Sequence, residues 1–146
     1  TDSRNKEGMK IKKVIDKKIQ GIDHLVSKIL KRSKKDVYRR LKLYKEKVAN
    51  LVSDLDEARL EQEIALLSLK YDASEELDRI AFHCKSLKDE ISKKIGSGKK
   101  IDYVLQELFR EANTLSVKLD DSISKNLALD MKLLAEEMRE QIQNVE

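Results

Sequence analysis

From Ile11 to Val145 the apolar residues of this chain recur three and four positions apart, with no proline to interrupt them. That rhythm sets one apolar side chain per turn on the same side of an α-helix and leaves no alternating run for a strand. Ile11, Val14, Ile15, Ile19, Ile22, Leu25, Val26, Ile29 and Leu30 keep it through a first helix, expected over residues 5–32. Ser33 to Asp36 reads as a break with a new N-cap. Val37, Leu41, Tyr44, Val48, Leu51 and Leu55 then form a heptad seam suited to one neighbouring helix. Capping boxes at Asp54–Glu57 and Asp72–Glu75 predict the start of a third helix, ending near Leu69, and of a fourth. The fourth buries Leu77, Ile80, Cys84, Leu87, Ile91 and Ile95 and stops at Gly96–Gly98. A fifth helix ends near Leu119. A sixth, from Ser122 to Val145, carries Leu127, Met131, Leu134, Ala135, Met138, Ile142 and Val145 on one side. The fold expected is all-α, an elongated bundle of five or six long helices whose narrow seams are completed by self-association.

Charged residues at 40% and aromatics at 4% suit long helices with solvated outer faces. No apolar run of membrane-spanning length exists, which excludes a spanning helix. The single Cys84 cannot form an intrachain disulfide and no signal-peptide pattern opens the chain, so the setting expected is cytoplasmic. A chain that opens on Thr1 rather than Met reads as a piece of a longer protein. The net charge of +4 is unevenly spread: residues 1–48 hold 17 Lys and Arg against 6 Asp and Glu, and residues 49–146 hold 14 against 21. Such a division suits a polyanion surface beside a site rich in carboxylates, and internal charge balance gives the same pattern. The expected organisation is a basic helical arm or hairpin over 1–58 and an acidic helical domain over 59–146.

The fifth helix is the most informative. Ile101, Val104, Leu105, Leu108, Ala112, Leu115 and Leu119 fall within one arc of roughly 100°. Asp102, Gln106, Arg110 and Asn113 share the far side, and Glu107, Glu111, Thr114 and Lys118 form the adjoining stripe. Amides, carboxylates and an arginine are the groups that coordinate metals and contact phosphates. Glu107 and Glu111, one turn apart, repel each other by a few tenths of a kcal/mol. A divalent cation, or an Arg or Lys from another helix, would relieve that repulsion. The last helix repeats the theme with Lys132, Glu136, Arg139 and Gln143. In the third helix Arg59 and Glu63 have the spacing of an ordinary ion pair. Glu75 and Glu76 stand in a first turn, where the helix dipole favours acids.

After residue 48 the only arginines are Arg59, Arg79, Arg110 and Arg139, against ten lysines, which points to sites that want a planar bidentate donor. His83, one turn beyond Arg79, reads as an acid–base group, a metal ligand or a packing residue. Cys84 falls on the apolar seam as a small core residue. There is no phosphate-binding glycine loop, no nucleophile elbow and no paired cysteine motif.

Arg59-Leu-Glu-Gln-Glu-Ile-Ala-Leu-Leu67, Asp72 to His83, Asp102-Tyr-Val-Leu-Gln-Glu-Leu-Phe-Arg-Glu-Ala-Asn-Thr114 and Met138-Arg-Glu-Gln-Ile-Gln-Asn-Val-Glu146 closely resemble the C-terminal half of the bacterial YicC/YloC family. The resemblance covers about residues 59–146. It implies a cytoplasmic, divalent-metal-dependent endoribonuclease that assembles as a ring, a hexamer, and it implies a strand-containing N-terminal domain outside this sequence. The chain departs from the family pattern at Phe109, where a small polar residue is usual, at Ser116-Val117, and at Gly98-Lys99.

On chemical grounds Asp102, Glu107 and Glu111 are the expected catalytic or metal-binding carboxylates, with Glu63 and Glu76 as further metal candidates and Mn²⁺ or Mg²⁺ as the ion. Arg59, Arg79, Arg110, Lys118 and Arg139 are expected to hold RNA phosphates. Gln106, Asn113 and Gln143 would orient them, and His83 would move protons. Two other readings fit the same sequence. One is a helical oligomerisation module with catalysis in the N-terminal domain. The other is an RNA-binding module without chemistry, whose log–log salt slope would be about −0.7 per neutralised phosphate.

Overall fold

The computed structural model describes residues 2–51, 54, 56–93 and 98–144, and all regular structure among them is α-helical. Five helices follow one another: α1 (Asp2–Leu51), α2 (Glu57–Tyr71), α3 (Ser74–Ser92), α4 (Gly98–Lys118) and α5 (Ser122–Gln143). Leu55, Ile95, Gly96, Val145 and Glu146 lie outside the described residues.

The break expected at Ser33–Asp36 does not occur. α1 runs unbroken for 50 residues, about 75 Å at the helical rise. Asp36 caps nothing: its carboxylate takes Arg39 at 2.7 Å and Arg40 at 3.7 Å, three and four residues further along the same helix. Ser33 is buried. No proline or glycine interrupts residues 22–51, so packing and intrahelical ion pairs outweigh a local capping preference. The middle of α1 is also fastened to the α4–α5 turn. Arg32 reaches Asp121 at 2.8 Å, Arg39 reaches Asp120 at 3.2 Å, and Arg40 donates to the Lys118 carbonyl at 2.9 Å.

The start of α2 shifts as well: its N-cap is Asp56 rather than Asp54, with the Asp56 side chain accepting from the Arg59 N–H at 3.3 Å. At α3 the Asp72 carboxylate accepts from the Ser74 N–H at 2.9 Å. At α5 the cap is Asp121, which accepts from the Ser124 N–H at 3.0 Å while holding Arg32.

Four helices close into a ring in which α1 and α4 each pack against both α3 and α5. The core draws Ile15, Ile19, Ile22, Leu25 and Ile29 from α1, and Leu77, Ile80, Cys84 and Leu87 from α3. α4 supplies Val104, Leu105, Leu108, Ala112 and Leu115, and α5 supplies Ala128, Met131, Ala135 and Met138. Val14 and Leu30, assigned to the first seam from their spacing, sit at its rim at 38% and 41% exposure. Gly21 lets α1 and α5 pack closely, since a Cβ there would stand 3.2 Å from Leu134 Cδ1. Burial pushes the Cys84 thiol up to about 12. α2 stands outside the ring and packs on the distal part of α1. No helix of the described residues is long and apolar enough to cross a membrane.

Candidate functional site

α3 and α4 run antiparallel, as the pairs Glu76–Lys118, Arg79–Glu111 and Glu90–Lys100 show, one number rising as the other falls. Their apolar seams face the core, and the flank between them is polar. There the donor atoms of His83 on α3 and of Glu107 and Glu111 on α4 lie within 4.8 Å of one another. Among the described residues this is the one such grouping of three histidine, cysteine or acidic side chains. His83 and Glu107 are half-buried and Glu111 is 7% exposed.

Arg79 spans two carboxylates, donating to Glu111 at 3.2 Å and to Glu75 one turn back on its own helix. These contacts, Glu75 first, raise the Arg79 guanidinium above its ordinary range and keep it charged. Arg110 approaches Glu107 at 3.7 Å with a side chain 76% exposed, so most of its donors face solvent. The Phe82 ring meets the His83 ring edge to face, with centroids 5.9 Å apart. Further along the groove Lys118 binds Glu76 at 2.7 Å and the Asp72 carbonyl at 3.1 Å, and the other Glu76 oxygen is buried without a hydrogen-bond partner.

The opposite flank of α4 meets α5. Asp102 accepts from Arg139 at 3.0 Å and from Gln106 at 2.9 Å. Asn113 accepts from Lys132 at 2.9 Å, and the Lys132 ammonium stands 5.4 Å from the Phe109 ring centroid. A small cavity of about 140 Å³ lies among Leu105, Gln106, Phe109, Ala135, Glu136 and Arg139. Arg59 and Glu63 belong to neither flank. They line a groove on α2 with Tyr44 and Val48 of α1. Gln143 is exposed in the last turn of α5.

The expected site residues thus divide. His83, Glu107 and Glu111 come together, with Arg79 and Arg110 beside them. Glu76 and Lys118 satisfy each other further along the same groove, and Asp102, Gln106 and Arg139 form a separate network. The sequence signal for the first group was the Glu107/Glu111 spacing with an Arg and a His one turn apart on another helix. The Arg32–Asp121 latch spans 89 residues and had no local signal.

The donor set fits a divalent ion. Donors side by side on one such ion at about 2.1 Å stand about 3 Å apart, so side-chain rotations of about 1–2 Å would close the present spacing. Three carboxylates, Glu75, Glu107 and Glu111, face two guanidiniums here and leave residual negative charge for a cation.

Residues 22–146 match the family described as "Endoribonuclease YicC-like, C-terminal". The chain belongs to this family. The match extends the resemblance back from Arg59 into the first half of α1, the part built into the bundle core. A protein of Haemophilus influenzae named "Probable endoribonuclease YicC" is 34% identical over 143 residues, covering 98% of this chain and 50% of that protein. One of Clostridioides difficile with the same name is 34% identical over 148 residues, covering 99% and 50%. The chain therefore spans about half the length of these YicC relatives.

Proposed function

We propose that this chain forms the metal-binding half of a divalent-metal-dependent endoribonuclease, with His83, Glu107 and Glu111 as the ligands. The observation that carries the reading is the convergence of one imidazole and two carboxylates within 4.8 Å. It stands beside a solvent-facing arginine, in a chain whose relatives are named probable endoribonucleases. An imidazole among the donors favours Mn²⁺ over Mg²⁺, which prefers an all-oxygen shell. Bound there, the ion supplies positive charge against the phosphodiester oxygens and acidifies water.

The chain's own residues supply the rest. Arg79, shared between Glu75 and Glu111, partly neutralises the buried Glu111 carboxylate and competes with the cation for it. Arg110 offers its outward donors to a phosphate oxygen in the bidentate geometry guanidinium favours. Lysines and arginines of α1 attract the RNA backbone at long range. Self-association draws support from Leu43, Leu51, Leu66 and Leu69, which stand 52–75% exposed on the α1–α2 hairpin. The order of the assembly, the contribution of an N-terminal region and a cytoplasmic setting belong to this reading too.

A second reading, a helical assembly module with catalysis elsewhere in the full-length protein, is favoured by the Arg79–Glu111 contact, in which an arginine already answers the buried acid. One experiment separates them: a structured RNA incubated with the intact protein and with Glu107→Gln, each in Mn²⁺, Mg²⁺ or EDTA. Cleavage that needs metal and disappears in the variant supports the first reading. Cleavage that survives the substitution supports the second.

A further inference from the structure

The bundle core contains no aromatic residue among the described residues. Isoleucine, leucine, valine, alanine, methionine and cysteine fill it. Aromatic rings bury more apolar area than any of these, so a chain with six of them would ordinarily spend some inside. Here Phe82 and Tyr103 stand 66% and 62% exposed, one on each helix that builds the His83–Glu107–Glu111 cluster. The Phe82 ring abuts the His83 imidazole. Tyr103 lies one turn before Glu107 on the same face of α4, the spacing at which side chains are neighbours.

We propose that Phe82 and Tyr103 are stacking platforms for unpaired bases of an RNA strand whose backbone crosses the His83–Glu107–Glu111 cluster. The inference rests on the functional reading above and gives it a substrate form, a single-stranded segment. Flat rings beside a phosphate-binding site suit splayed bases, because every base has a π-face and stacking tolerates any sequence. A duplex keeps its bases stacked on one another and offers nothing to such rings. The outward donors of Arg110 on the same helix would hold the backbone between the two platforms.

The test uses the intact protein in EDTA, so that nothing is cut. The probe is a single-stranded RNA carrying 2-aminopurine, compared with the same RNA annealed into a duplex. Phe82→Leu and Tyr103→Leu should each weaken single-strand binding by about 5-fold or more and reduce quenching of the probe, leaving duplex binding unchanged. Phe82→Trp should retain both, and the helical circular dichroism of all variants should match the parent. Single-strand affinity and quenching unaltered in both leucine variants would overturn the proposal, as would equal losses for single strand and duplex. A parent protein that binds no RNA at all would instead overturn the functional reading beneath it.

Discussion

Where α4 meets α3, Glu107 and Glu111 have donor atoms within 4.8 Å of an imidazole and take guanidinium contacts at 3.7 Å and 3.2 Å, the second shared with Glu75. Where α4 meets α5, the one carboxylate of Asp102 is answered by a guanidinium at 3.0 Å and an amide at 2.9 Å. Both flanks are built from the same residue types on the same helix. They differ in the ratio of acids to donors. A carboxylate whose oxygens are already bonded has little to offer a metal, whereas clustered acids with too few donors gain from one. On the proposed reading the α3 flank is the place for a cation, and the α5 flank is a clasp between helices.

The strongest way to break that contrast is to neutralise one acid on each side. Glu111→Gln should lower metal-dependent RNA cleavage by at least about 100-fold, because even outer-shell partners of a metal are worth 10–100-fold. Asp102→Asn, measured in the same assay, should keep most of the activity and lose only part of a half-buried ion pair. Comparable losses in the two variants would erase the distinction.

Arg79→Gln sharpens it further. Removing the guanidinium that competes for Glu111 should tighten Mn²⁺ binding by about 30-fold, the effect of one unit charge about 4 Å from a divalent ion in a watery dielectric. Weaker Mn²⁺ binding by calorimetry would mean that Arg79 is needed to hold Glu111 in place.

The smallest effect concerns the α4–α5 turn, away from either flank. Burial raises the Asp121 carboxyl, but hydrogen bonds from the Ser124 hydroxyl, Arg32 and the Ser124 N–H outweigh it and hold the group well below the usual carboxylate range. A depressed native value means that the stabilisation is complete above the unfolded value of about 3.9 and is lost as pH falls through the native one. Asp121→Ala should cost about 1–2 kcal/mol at neutral pH, with the gap to the parent closing below about pH 4. Urea unfolding at several pH values checks both the size and the slope.

The helix-forming pattern was legible in the sequence because the core uses the i, i+3, i+4 positions almost without exception. Ile80, Leu105, Leu115 and Met131, all placed on apolar faces by spacing, are all fully buried. The Ser33–Asp36 break was misread because a capping signature is local, and here Asp36 serves Arg39 and Arg40 while the α4–α5 turn anchors the same stretch of α1. Within the site, the Glu107/Glu111 stripe on one helix and the Arg79/His83 pair on another each followed from helical spacing, but that the two meet depends on how α3 packs on α4. Spacing could not tell which flank Asp102 would face a partner across, since that depends on how α5 docks. Nor could it show that Lys118 would be taken up by Glu76 and the Asp72 carbonyl.

The central claim is that the α3 flank holds the divalent ion. Its most direct test is Mn²⁺ binding to the intact protein, followed by electron paramagnetic resonance, for the parent, Glu111→Gln and Asp102→Asn. The account predicts a bound Mn²⁺ that is lost in Glu111→Gln and retained in Asp102→Asn. Mn²⁺ retained in Glu111→Gln, or lost only in Asp102→Asn, would contradict it.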